Sequence, residues 1–212
     1  ELAPGWQTVE VRVPAAATRQ GTNRVRLEFA WSASPRQVFG DPASRALIGT
    51  TGVQSPTNLE VHGFSEAFVT ATGADGTATD ASAGRQGYNV AVFDEKSGRL
   101  LDKRGFDTAA NTYEAGALAS YLDTVPAGRI VVLATKGNGT DNLTPDAVAA
   151  IARLGSKISG AADLKGQSHA LVGIQGAGPG TAAEVIAPDA YLRVAGDFRT
   201  LAAAVDWVEL DR

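Results

Sequence analysis

The chain has 212 residues, 44% of them hydrophobic and 20% charged, enough to bury a core in one domain or in one domain with a smaller companion. Net charge is −4 and the 19 Lys and Arg are scattered, which excludes a basic track for a nucleic-acid backbone. No apolar run reaches the roughly 20 residues that span a bilayer, and the lack of Cys excludes disulfides, thiolate metal sites and a cysteine nucleophile.

No signal-peptide pattern opens the chain and Met is absent even from position 1, so a mature product, a trimmed chain or a fragment is expected. Residues 8–13, TVEVRV, alternate as a half-buried strand, and RVRLEF at 24–29 alternates again after the turn signal QGTN. Residues 32–58 read as a long connection rich in Gly and Pro, residues 59–72 regain strand character, and 73–87 read as a polar loop. YNVAVFD at 88–94 is a strand that turns through Lys96-Ser97-Gly98 into a hairpin. Residues 113–124 read as a helix with Leu118 and Leu122 one turn apart, ended by Pro126 and Gly128. RIVVLAT at 129–135 is almost wholly apolar and is expected to be a central strand covered on both faces.

The clearest helix follows, with Thr144 as N-cap, Pro145 at the first helical position, Val148 and Ile151 in the buried stripe and Gly155 as terminator. Residues 169–174 and 184–187 are two further strands, and AVDWVEL at 204–210 is β like the N-terminus. The economical arrangement pairs this tail with the opening strands and sets the middle of the chain between them.

The run SHALVGIQGAGPGTAAE, 168–184, is a strand followed by glycines, which raises the question of a phosphate cradle. A P-loop requires Lys and then Ser/Thr after its last glycine, and a dinucleotide fingerprint requires a helix of several turns. Gly180 is followed by Thr181 and Ala182 and Pro188 comes soon after, so a structural turn and no cofactor is expected. His62 and His169 have no ligand-spaced partner, so no metal site is expected. The oxygen-rich segments 75–80 and 138–142 leave calcium as an alternative, but they lack EF-hand spacing and a solvated polar loop is the default reading. Gly63-Phe64-Ser65-Glu66-Ala67 is the nearest approach to a nucleophile elbow but ends in Ala, and Ser168 and His169 point to opposite faces of a strand. No catalytic residue is nominated, and the chain is expected not to be an enzyme. Aromatic residues in or near loops, Trp6, Trp31, Tyr88 and Tyr113, suit stacking against the C–H face of a sugar.

Gly87-Tyr88-Asn89-Val90-Ala91-Val92-Phe93-Asp94, Ser97-Gly98-Arg99 and Phe106-Asp107-Thr108 resemble the opening of the interleukin-like EMT inducer (ILEI) domain. The strand 126–132, the helix end Leu154-Gly155-Ser156 and the closing segment 168–176 with Pro179-Gly180-Thr181-Ala182 keep the family's motif order, the last resembling bacterial members. The resemblance covers about residues 59–187 and implies a non-enzymatic β-sandwich with helices that recognises glycan outside the cytoplasm. It departs in two places: animal members carry disulfide cysteines, and Lys165-Gly166-Gln167 stands where they tend to have an Arg-Asp pair. Residues 5–11 and 205–210 resemble late strands of galactose-binding-like jelly rolls.

The resulting expectation is an α+β, β-rich fold: an ILEI-like β-sandwich with two main helices over 59–187, and partial jelly-roll strands from 1–58 and 188–212. The expected function is a glycan-binding or accessory domain of an extracellular or periplasmic protein, tethered to the membrane through a larger parent rather than inserted itself. Trp6, Trp31, Tyr88, Asp107 and Tyr113 are the candidate ligand contacts. The alternative is an interaction subunit that docks on another protein chain through an incomplete β edge.

Overall fold

Alternating burial along the strands decides which side of each strand meets the core. In a computed structural model the described residues are 14, 16, 46–73 and 76–195. The chain divides into two compact units, residues 1–32 and 33–212, and every element below belongs to the second. Strands β1 (Asn58–Gly63), β2 (Ala67–Thr72), β3 (Ala78–Asp80) and β9 (Ala190–Val194) form a four-stranded sheet in the order β3-β2-β1-β9. Strands β4 (Gly87–Phe93), β5 (Leu100–Phe106), β6 (Ile130–Lys136), β7 (Ser168–Ile174) and β8 (Ala183–Ala187) form a five-stranded sheet in the order β5-β4-β6-β7-β8. All strand pairs in both sheets are antiparallel.

The four-stranded sheet buries one face only. Leu59 and Val61 of β1, Val69 and Ala71 of β2 and Val194 of β9 are buried, and the residues between them face outward. Their partners across the sandwich are Ala91, Phe93, Ile130, Val132, Ala134, Ala170, Val172 and Ile174 of the larger sheet. The alternate residues Tyr88, Val90, Val92, Val131, Leu133 and Leu171 face the helices α1 (Thr112–Thr124) and α2 (Pro145–Ala152), whose Leu118, Leu122 and Ile151 are fully buried. The larger sheet is therefore covered on both faces, which is why β4, β6 and β7 are apolar almost throughout.

The fold is thus β-rich with two packed sheets and two helices, as expected of a helix-bearing β-sandwich. Thr144 caps α2 by accepting the Ala147 N–H, with Pro145 in the first turn. Asn111 caps α1 in the same way through the Glu114 N–H. The segment expected to be a polar loop, 73–87, contains β3, which pairs with β2 over three residues and is exposed throughout. The expected opening strands and the tail at 204–210 lie outside the described residues.

The glycine-rich segment turns the chain from β7 to β8. Gly176 and Gly180 have φ of 88° and 75°, a conformation that costs glycine little. The N–H groups of Gly176, Ala177, Gly180, Thr181 and Ala182 all donate to backbone carbonyls, those of Gly176, Gly180 and Ala182 to the Arg153–Ser156 stretch after α2. These donors are committed to holding the loop, as a structural turn requires.

Candidate glycan-binding cleft

At the end of the sandwich where β1 and β6 finish and β7 begins, three loops and the β8–β9 connection enclose a cleft of about 220 Å³. Phe64, 47% exposed, gives it an aromatic wall. Asn138 and Asp141 come from the loop after β6, Gln167 and Ser168 from the start of β7, and Pro188 from between β8 and β9. The lining therefore combines an apolar ring with side-chain amide, carboxylate and hydroxyl groups, the composition that polyhydroxylated ligands use.

Backbone and side-chain bonds hold this wall in place. The Gly137 N–H donates to the Phe64 carbonyl at 2.7 Å, and Lys136 pairs with Glu66 at 2.5 Å. The Thr108 hydroxyl donates to the Gly139 carbonyl at 2.5 Å, Asn142 donates to the Ala109 carbonyl at 2.7 Å, and Thr140 donates to the Gln167 carbonyl at 3.4 Å. On the other side the Ser168 hydroxyl donates to the Pro188 carbonyl at 3.2 Å. Gly137 and Gly166 also line the cleft, so two of its positions carry no side chain and leave room. Among the described residues no group of three or more His, Asp or Glu is placed to hold a metal ion.

The outer face of the four-stranded sheet adjoins this end. Phe68, His62 and Tyr191 stand opposite one another on β2, β1 and β9, with ring centroids 6.4 Å and 6.0 Å apart. Phe68 is 54% and Tyr191 53% exposed. His62 Nε2 lies 2.5 Å from Asp189, the residue after the cleft's Pro188. Two residues away along the strands, on the same face, Arg193 pairs with Glu60 at 3.2 Å.

Beneath the other face of the larger sheet lies a buried polar chain. The Tyr88 hydroxyl is 2.9 Å from His169 Nδ1, and His169 Nε2 is 2.8 Å from Glu184. Glu184 also accepts the Ser156 hydroxyl and the Lys157 N–H. Burial raises the Glu184 pKa, but the bonds and charge of His169, with those of Ser156 and Lys157, outweigh it and hold the carboxyl below its ordinary value. Burial, and secondarily the Glu184 charge, pushes the Tyr88 hydroxyl well above the usual tyrosine range. The set is closed to solvent at Tyr88 and His169, both 0% exposed, and so braces β4, β7 and β8.

The nominated ligand contacts do not converge on one place. Tyr88 is a core residue whose ring is covered by protein, which corrects its nomination as a sugar-stacking surface aromatic. Asp107 is half-buried, accepts the Ala110 N–H and donates its own N–H to Glu114, so it builds the turn into α1. Tyr113 is 88% exposed on the first turn of α1. Neither Asp107 nor Tyr113 lines the cleft. Trp6 and Trp31 lie outside the described residues. Sequence reasoning passed over Phe64, Phe68, His62 and Tyr191, whose relation exists only once β1, β2 and β9 are paired.

The chain is 40% identical over 74 residues to human "Cell migration-inducing and hyaluronan-binding protein", a match covering 35% of this chain and 5% of that protein. It is 35% identical over 115 residues to the mouse protein of the same name, covering 50% of this chain and 8% of that one. It is 36% identical over 143 residues to zebrafish "Cell surface hyaluronidase", covering 63% of this chain and 10% of that protein. The matches thus span a tenth or less of these relatives. All three are vertebrate proteins and lend no support to a specifically bacterial kinship. The zebrafish relative also corrects the expectation that the chain stands apart from enzymes, since it aligns with a protein named a hyaluronidase. Residues 86–177, which run from β4 through β7, match the model of the interleukin-like EMT inducer family and form an ILEI-like domain.

Proposed function

We propose that this chain is a glycan-recognition module of a larger cell-surface or secreted protein, with hyaluronan or a glycan of similar build as ligand. The observation that carries the reading is the cleft between Phe64 and the polar groups of Asn138, Asp141, Gln167 and Ser168. An aromatic face takes the C–H side of a sugar ring, and planar amides and carboxylates take its hydroxyl and acetamido groups. The names of the human and mouse relatives supply hyaluronan as the ligand to test first. Where the zebrafish relative's name includes cleavage of that polymer, the module's part is to hold the chain.

Gln167 stands in the stretch where animal members tend to have an Arg-Asp pair, and here it lines the cleft with Gly166. Ligand contacts on this side therefore come from an amide rather than from a guanidinium. Docking through an open β edge has less behind it: the exposed edge strand β5 carries Asp102-Lys103-Arg104, a charged run that discourages addition of another strand.

Calorimetric titration of the full chain with hyaluronan oligosaccharides tests the proposal. Binding to wild type that weakens several-fold in Asn138→Ala and Gln167→Ala is the expected outcome. No binding to hyaluronan or to related glycans at millimolar concentration would sink it.

A further inference from the structure

The aromatic row on the four-stranded sheet invites an explanation beyond packing. Cross-strand pairs stabilise a sheet by roughly 0.2–1 kcal/mol each. That role leaves unexplained why Phe68 and Tyr191 keep more than half of their surface in water on a face that no helix or sheet among the described residues covers. The row and the cleft also share chain segments. His62 and Phe64 belong to one chain segment with Gly63 between them, and Pro188 of the cleft wall leads through Asp189 to Tyr191. The short His62–Asp189 bond ties these two segments together at 2.5 Å.

Polar side chains beside this surface already hold partners within the protein. Arg193 is paired with Glu60, His62 with Asp189 and Lys136 with Glu66. A ligand crossing it meets flat rings flanked by groups that already hold partners, and the cleft adds the Asp141 carboxylate rather than a cation, so stacking and hydrogen bonds rather than ion pairing carry the contact.

From this we infer that cleft and row form one track for an extended polysaccharide chain: one sugar sits in the cleft and its neighbours stack along Phe68, His62 and Tyr191. The inference rests on the glycan reading of the cleft and adds to it a preference for chain length and for the interior of a polymer over its end. Occupancy of the cleft raises the local concentration of the following sugars over the row, so affinity climbs with length until the row is filled.

The test compares a hyaluronan disaccharide with a long hyaluronan oligosaccharide on the full chain, at two salt concentrations. Wild type is expected to bind the long chain more tightly, with little change in affinity between low and high salt. Phe68→Ala and Tyr191→Ala should each lower long-chain affinity by about tenfold, one lost stacking contact, while leaving disaccharide affinity unchanged. Tyr191→Phe keeps the ring and should bind like wild type, and it guards against reading a folding defect as a binding defect. Asn138→Ala should weaken both ligands.

Equal affinity for short and long chains, or long-chain binding indifferent to Phe68→Ala and Tyr191→Ala while Asn138→Ala still weakens it, overturns the track and leaves the cleft standing. Steep loss of long-chain binding with salt overturns the reading that stacking carries the track. Failure of wild type to bind either ligand overturns the glycan reading itself, and the track with it.

Discussion

Replacing His169 by Phe is the sharpest probe of the buried polar chain. Phenylalanine keeps a ring of similar bulk, so the cavity term stays small. What is lost is both ring nitrogens. The Tyr88 hydroxyl, fully buried, loses its partner at 2.9 Å, and stranding such a group costs about 1–3 kcal/mol. Glu184 loses its contact at 2.8 Å, with its side chain only 4% exposed. Glu184 keeps the Ser156 hydroxyl and the Lys157 N–H, so its share is well below the cost of a buried carboxylate left alone, about 3–5 kcal/mol. The sum is about 3 kcal/mol, a large part of the roughly 5–15 kcal/mol that holds a domain folded.

Urea unfolding followed by far-UV circular dichroism would measure it. Tyr88→Phe, which removes only the hydroxyl, should cost about 1 kcal/mol. Because both variants delete the same bond, the double variant should cost less than the two added together by about 1 kcal/mol. A His169→Phe protein within ~0.5 kcal/mol of wild type, at unchanged denaturant slope, would refute the assignment of this chain as a brace.

Two more outcomes follow from the same core. At Gly173 a β-carbon would stand 2.1 Å from the Leu154 carbonyl oxygen, where backbone meets backbone, so Gly173→Ala should destabilise by at least about 2 kcal/mol in the same melts; near-wild-type stability would show that this approach is not tight. Folding lowers the Glu184 pKa below the usual 4.5, so the stability it contributes is complete above that value and is lost as pH falls through the lower folded value. The stability gap between wild type and Glu184→Gln should therefore narrow steadily in melts taken below pH 4.5, and a gap that is constant or widens there would contradict the shift.

The parts of the fold that the sequence announces are those with one-dimensional causes. An apolar run from Ile130 to Ala134 has to be covered on both sides, and β6 is the middle strand of the larger sheet. The Thr144-Pro145-Asp146 start of α2 is a local chemical signal and needs no partner to be read. β3 escaped notice because its three residues are exposed and carry no alternation in burial. The cleft escaped for a different reason. Its lining comes from loops after β1 and β6, before β7 and between β8 and β9, and His62 meets Asp189 across 127 residues of chain. Read in sequence, His62 is a lone histidine and Phe64 part of an incomplete Gly-x-Ser-x motif. Only pairing of β1 with both β2 and β9 turns them into neighbours of Phe68 and Tyr191. Tyr88 misled in the opposite direction, because an aromatic beside a glycine turn carries no mark of which face its strand will bury.

The pairing of Leu59 with Val194 has a mechanical meaning. It sets the first and last described strands of the two-sheet body side by side and antiparallel, so the ladder between them takes any tension that runs between Leu59 and Val194. Load applied there opens the β1–β9 ladder from Leu59 and Val194 inward, a rung at a time, instead of shearing all its hydrogen bonds at once. The strand that unzips carries Tyr191 and, through Asp189, the link to the cleft, so tension there would reach both before it reaches the helix-facing core.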